Sequence, residues 1–342
     1  MLGAWLALLI VDELCGHLLS KAGYEVDPDF GEVREFSRVV YRLEGNGISN
    51  WLARGVRDPG RPAVPGPRVL VLGDSQTHAL QVNDSQTFCA VAEGLLRQRG
   101  FGVNLLNCGH STRSVADYVK LAPAFQREMK PDWVVFLLQE IDLGSDAWDE
   151  GKTHLEFSAQ GHLVVSQLPA DPVPRPRQPR SRTFSWGRWV HEKLRLEAIF
   201  RVASFRLASF NRRWSAEPPV FRGGVGRPQQ PAREYPIDQA GELLLDSYGT
   251  RTTVLWLRHF NGRSQAGRPT PGQLQFQELC RQRQIHFVDL GLEFAHLVEL
   301  GRAPRGFPNT YWNAGHLNAV GHDWIGRVLD RELWELHQRG IL

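Results

Sequence analysis

Five short apolar runs divide the chain. They are RVLVLG (residues 68–73), GVNLLN (102–107), WVVFLL (133–138), TTVLWL (252–257) and IHFVDL (285–290). Each is rich in β-branched or bulky residues. The first follows the Pro/Gly breaker RPAVPGP, and together they predict buried strands. The pattern between them changes to a helical period. Phe88, Val91, Leu95 and Leu96 recur at helix spacing over 87–100, with Gly100 as the stop. Further helices are predicted over 115–129, 270–284 and 319–339. The last has Val320, Ile325, Val328, Leu329, Leu333 and Leu336 as its buried side. Strand alternating with helix means βαβ units, a parallel sheet and right-handed crossovers. The expected fold is a three-layer α/β/α sandwich on a five-stranded parallel sheet.

Three stretches fall outside this alternation. Residues 1–20 open on the apolar run Leu2–Val11, which Asp12 and Glu13 end. That run is shorter than the roughly 20 residues a spanning helix needs. A packed helix, the remnant of a signal anchor and an interfacial segment all remain open for it, and with them membrane association. Residues 21–67 read as an irregular preamble with β-like pieces such as SRVVYRL. Residues 68–342 form the α/β domain, interrupted at about 144–249. Within the interruption, Leu168–Arg182 is a Pro/Arg-rich loop, Trp186–Trp214 a basic amphipathic helix, and Gly223–Pro236 a second Gly/Pro/Arg loop. That helix suits a lid over the sheet, or an anionic membrane surface or glycan.

Composition narrows the picture further. A net charge of +3 is too small to indicate a nucleic-acid partner. Cys15, Cys89, Cys108 and Cys280 lie far apart with no metal-ligand spacing. The 11 tryptophans suit core packing, or the stacking of a sugar.

Three residues could carry chemistry. Ser75, in Gly73-Asp74-Ser75, sits where a central strand delivers its carboxyl end, the edge where open α/β sheets place their sites. A serine hydroxyl there needs a base and an exposed turn to become a nucleophile. The same Asp74-Ser75 pair also suits a plain helix cap. His316 lies in a loop just before the last helix, within reach of that edge, and histidine exchanges protons near neutral pH. His322 is the weaker alternative. Gly109 follows the second strand, where a glycine lets a backbone N–H approach a reacting carbonyl.

Taken in order, GDSQT, NCGHSTRS, WVVFLLQEID and WNAGHLNAVGH resemble the successive blocks of the SGNH/GDSL hydrolase family. GDSQTHALQVNDSQTF is similar to bacterial members that read GDS-[FQ]-T followed by V-N-x-x-x-T-[FW]. The preamble resembles the segment before that block in exported or membrane-anchored members. The resemblance spans roughly Tyr24–Arg339.

It implies a flavodoxin-like sheet and serine ester chemistry without metal or cofactor. Ser75 resembles the nucleophile and first oxyanion donor, Gly109 the second donor, and His316 the base. The family's third donor is an asparagine in G-x-N-D. Ile141 stands there, Asp142 is kept, and Gln139 is the substitute donor. The family's orienting acid lies three residues before the histidine, where this chain has Asn313. Asp74, His110 and Asp142 are expected on the substrate side. The implied substrate is an acyl ester, with an acylated carbohydrate or lipid in view, and a cell-envelope setting. An O-acyltransferase on an envelope polysaccharide and a degenerate binding or assembly protein are the alternatives.

Overall fold

The computed structural model describes residues 7, 25–27, 30–41, 44–111, 113–144, 153–167, 234–258, 268–308 and 315–342. The N-terminal apolar run, the Pro/Arg-rich loop, the basic amphipathic helix, most of the second loop and Asn313 lie outside them.

Four short strands precede the main sheet: β1 (Glu25–Asp27) pairs antiparallel with β2 (Gly31–Val33), and β3 (Arg38–Val40) with β4 (Ile48–Asn50). The main sheet is built from β5 (Arg68–Gly73), β6 (Asn104–Asn107), β7 (Trp133–Leu138), β10 (Thr252–Trp256) and β11 (His286–Asp289). Its order is β11-β10-β7-β5-β6 and every pairing is parallel. Counted within the sheet alone this is 2-1-3-4-5, the flavodoxin-like order. The chain is therefore an α/β/α sandwich of the expected class.

Both faces are covered, which is why the strands read as continuous apolar runs. On β5, Leu70 and Leu72 enter one core with α3 (Val115–Met129), α5 (Ile237–Tyr248) and α6 (Pro271–Gln282). Val69 and Val71 enter the other with α2 (Phe88–Gln98), α7 (Gly291–Glu299) and α8 (Ala319–Gln338). Two regions differ from the sequence expectation. The stretch read as an interruption carries the hairpin of β8 (Thr153–Phe157) and β9 (Leu163–Gln167). It also carries α5, which belongs to the sandwich, because Leu244 and Leu245 pack in the first core. Helix α7 follows β11 directly where no helix was expected. Among the described residues no helix is long and apolar enough to cross a membrane.

The preamble is fastened to the sheet's carboxyl edge. Arg57, buried, donates Nη1 to the carbonyls of His78 and Ala79 and Nη2 to that of Val82, while its Nε pairs with Asp84 at 2.8 Å. Asp84 also accepts the Asn50 N–H, and Asn83 accepts the Ile48 N–H at 3.0 Å. Burial lowers the Arg57 pKa and the Asp84 charge opposes that. These bonds hold the β3–β4 hairpin against the turn that follows Ser75. The loop between its strands contains Glu44.

Candidate active site

Strand β5 ends at Gly73, and residues Ser75–His78 form one short helical turn, α1. Asp74 caps it, accepting the Gln76 N–H at 2.9 Å. The cap expected from sequence is present, and it leaves the Ser75 hydroxyl free for another partner. That partner is His316: Nε2 lies 3.0 Å from Ser75 Oγ. Further bonds fix this approach. Gln76 Oε1 accepts the Leu317 N–H at 2.9 Å, so the residue after the serine holds the residue after the histidine. Asn318 caps α8 and donates Nδ2 to the carbonyls of Ala303 and Gly306. The Gly306 N–H in turn donates to the His316 carbonyl at 3.0 Å.

The other nitrogen of His316 is occupied by a residue that sequence reasoning missed. Glu44 Oε2 pairs with Nδ1, and Glu44 Oε1 accepts the His316 backbone N–H at 3.0 Å. The sequence placed the orienting group at Asn313, which lies outside the described residues. In the structure a carboxylate from the preamble holds that nitrogen. The Glu44 side chain is 6% exposed and the His316 side chain 26%, so the acid is sealed behind a base that solvent reaches. Gly315 allows the approach. Its φ is +84°, and a Cβ there would stand 2.4 Å from Glu44 Oε1. We expect Gly315→Ala to cost about 1–2 kcal/mol from the left-handed backbone alone. It also pushes Glu44 off His316, so kcat falls as well as the unfolding midpoint; calorimetry and ester kinetics on one preparation read both.

Electrostatics follow from this arrangement. Burial works against the His316 imidazolium, but the charge and bond of Glu44, with the Asp74 charge, outweigh it and raise the His316 pKa. Asp74 is itself raised by burial, against bonds from Gln76 and Gln139 and the charges of His316 and Arg305. Asp142 is raised well above the usual carboxylate range by burial and by the Asp74 charge.

The remaining expected residues are placed as follows. The Gly109 N–H donates to Asn107 Oδ1 at 3.0 Å, so it is not the free oxyanion donor expected of it. The glycine is needed for packing, since a Cβ there would meet the Thr77–His78 backbone at 2.6 Å. Gln139, buried, donates Nε2 to Asp74 Oδ2 at 3.0 Å, and its Oε1 accepts from Arg305. Asp142 accepts the Gln139 N–H at 2.7 Å and closes the start of α4 (Glu140–Gly144). It serves this turn, as Asp74 serves α1. His110 is half-buried, and its ring stacks on His78 at 5.4 Å. Burial, then the Arg113 and Arg34 charges, push its pKa down to about 3, so it is neutral. His322 lies buried, 3.4 Å from the Phe88 N–H, apart from the chemistry. Ile141 is half-buried and brings no polar group.

The side chains brought together form a serine–imidazole–carboxylate relay of the kind that activates a hydroxyl for acyl transfer. Only one signal in the sequence pointed toward Glu44: the glycines around it, in EGNG, mark a tight loop.

Among solved structures the chain is similar to a lipase/acylhydrolase from Enterococcus faecalis, at 14% identity and TM-score 0.38, covering 78% of this chain and 95% of that one. It is similar to the esterase EstA from Pseudoalteromonas sp. at 8% identity and TM-score 0.37, covering 80% and 98%. An acetylxylan esterase from Geobacillus stearothermophilus, a catalytic mutant, matches at 15% identity and TM-score 0.38, covering 78% and 94%. No family model and no curated protein matches the chain.

Proposed function

We propose that this chain is a serine-dependent carboxylic ester hydrolase of SGNH/GDSL type. The observation that carries the reading is the continuous relay Ser75 Oγ–His316 Nε2, His316 Nδ1–Glu44. His316 takes the Ser75 proton as Oγ attacks the ester carbonyl. Glu44 holds the imidazole with its Nδ1 protonated and stabilises the imidazolium that forms. His316 then gives its proton to the departing alcohol, leaving an acyl-serine. A water, deprotonated by His316, releases the carboxylic acid and restores Ser75. The Ser75 N–H is the first donor to the developing oxyanion.

Ile141, with Asn313, suggested a degenerate member. Glu44 supports the catalytic reading, because a carboxylate does what an amide at Asn313 cannot: it stabilises the charged imidazole. The test is turnover of short p-nitrophenyl esters by purified protein, with and without an oligosaccharide acceptor. Expected is acid release by the wild type that the acceptor does not suppress. Acyl transfer to the sugar outrunning hydrolysis would make the chain an O-acyltransferase built on the same acyl-serine. No turnover of any ester would contradict the reading.

A further inference from the structure

Among the described residues Arg305 is the one guanidinium buried against the proposed relay, and no motif pointed to it. It is 4% exposed. Nη1 donates to the Gly315 carbonyl at 2.9 Å, on the residue before His316. Nη2 reaches Gln139 Oε1 at 3.4 Å, across 166 residues of chain. Nε is buried and has no hydrogen-bond partner in the structure. Among the described residues no carboxylate lies in direct contact with it, although the Asp74 and Glu44 charges oppose burial, which lowers its pKa to about 10. It therefore stays charged at neutral pH. A buried cation without a contact ion pair, and with one donor unspent, is an expensive way to hold a loop.

Its geometry explains what it secures. An amide side chain can be turned end for end, and only its partners choose the orientation. At Gln139 both ends are chosen. Arg305 has only donors, so it accepts nothing and must face Oε1. Asp74 Oδ2 then receives Nε2. One Nε2 proton is spent on Asp74, the residue next to Ser75. The second proton has no acceptor among the described residues, and the nitrogen that carries it lies 3.0 Å from Oδ2 of the residue before Ser75.

We propose that Arg305 is a positioning residue that orients the Gln139 carboxamide as the second oxyanion donor while holding the loop that bears His316. This rests on the hydrolase reading. It goes beyond it by giving the site a donor where Gly109 is engaged by Asn107 and Ile141 has none. Gln139 occupies the first position of the family's G-x-N-D phrase, so the donor comes from two residues upstream of the usual asparagine.

The test compares wild type with Gln139→Leu, Arg305→Met and Arg305→Lys, taking kcat and KM over a pH series and checking folding by circular dichroism. Loss of one oxyanion donor costs about 10²–10³ in kcat. Gln139→Leu is expected to show that loss with KM held and no upward move of the acid limb, because the Arg305 charge remains and the Asp74 charge, which raises the His316 pKa, only loses a supporting bond. Arg305→Met is expected to lose kcat and also to shift the acid limb to higher pH. The groups acting on the imidazole there are Glu44, Asp74 and Arg305, and only Arg305 lowers its pKa along with burial. Arg305→Lys keeps the charge, so the limb returns. Its single ammonium does not reproduce the planar fork between Gly315 and Gln139, so kcat does not return. A purely structural role would lower the unfolding midpoint without separating kcat from KM.

Wild-type kcat in folded Gln139→Leu, or an unmoved limb and full kcat in folded Arg305→Met, overturns the assignment and leaves the hydrolase reading standing. Should Arg305→Met fail to fold, Gln139→Leu and Arg305→Lys decide the matter. A wild type that turns over no ester overturns both.

Discussion

Ser75→Ala is expected to reduce kcat for ester hydrolysis on the order of 10⁶-fold, the scale of losing the nucleophile from a residue set that acts as a unit. The fold is expected to survive. Among the described residues the Ser75 hydroxyl has one partner, His316 Nε2, so the variant forfeits about 1 kcal/mol of hydrogen bonding. That corresponds to a fall of about 1–2 °C in the unfolding midpoint of a chain of this size. The cap of α1 is untouched, because Asp74 and not Ser75 provides it. A steep loss of turnover with a nearly unchanged midpoint thus separates nucleophile from helix cap. A variant that keeps wild-type turnover would return Ser75 to a structural role.

Glu44→Gln is expected to lower kcat on the order of 10⁴-fold, the cost of replacing an orienting carboxylate by its amide. An amide presents an N–H as readily as a carbonyl to Nδ1, so it no longer enforces the tautomer with Nδ1 protonated. It also brings no charge to stabilise the imidazolium. The variant carries a second signature in its pH profile. Catalysis needs neutral His316, so activity falls as pH drops through the His316 pKa. In the wild type that pKa is raised, because the Glu44 charge and bond, with Asp74, outweigh burial and Arg305. Without the Glu44 charge, burial and Arg305 act against Asp74 alone, so the acid limb moves to lower pH. A rate series in matched buffers reads the direction. A limb that moves upward or stays in place would show that Glu44 does not set the imidazole's charge.

Much of the sandwich was legible because its strands are buried on both faces. Runs such as WVVFLL have no polar alternation to confuse with a surface strand, and β7 covers the residues predicted. Helix α3 likewise matches from Val115 to Met129, where Ser114 and Asp117 form a capping box and Lys130-Pro131 ends the pattern. Ser75 and His316 were legible as candidates because each is marked by local placement, one at a strand end and one just before a helix, and the structure brings them within hydrogen-bond distance. Glu44 was not. It lies 272 residues from His316, and its position depends on how Arg57, Asp84 and Asn83 clamp a hairpin that looks irregular as sequence. Arg305 was hidden for the same reason: its partners, Gly315 and Gln139, meet only in the folded chain. Gly109 shows the converse. A glycine in the expected place is required there by a close pass against α1, and its N–H is spent next door on Asn107.

The central claim is that Ser75, His316 and Glu44 work as one relay. Its most direct test is covalent labelling with a fluorophosphonate, the modified residue identified by mass spectrometry and the rate followed against pH. The relay predicts a single adduct on Ser75, formed more slowly as pH falls through the raised His316 pKa. No adduct, an adduct elsewhere, or a Ser75 labelling rate indifferent to pH across that limb would contradict it.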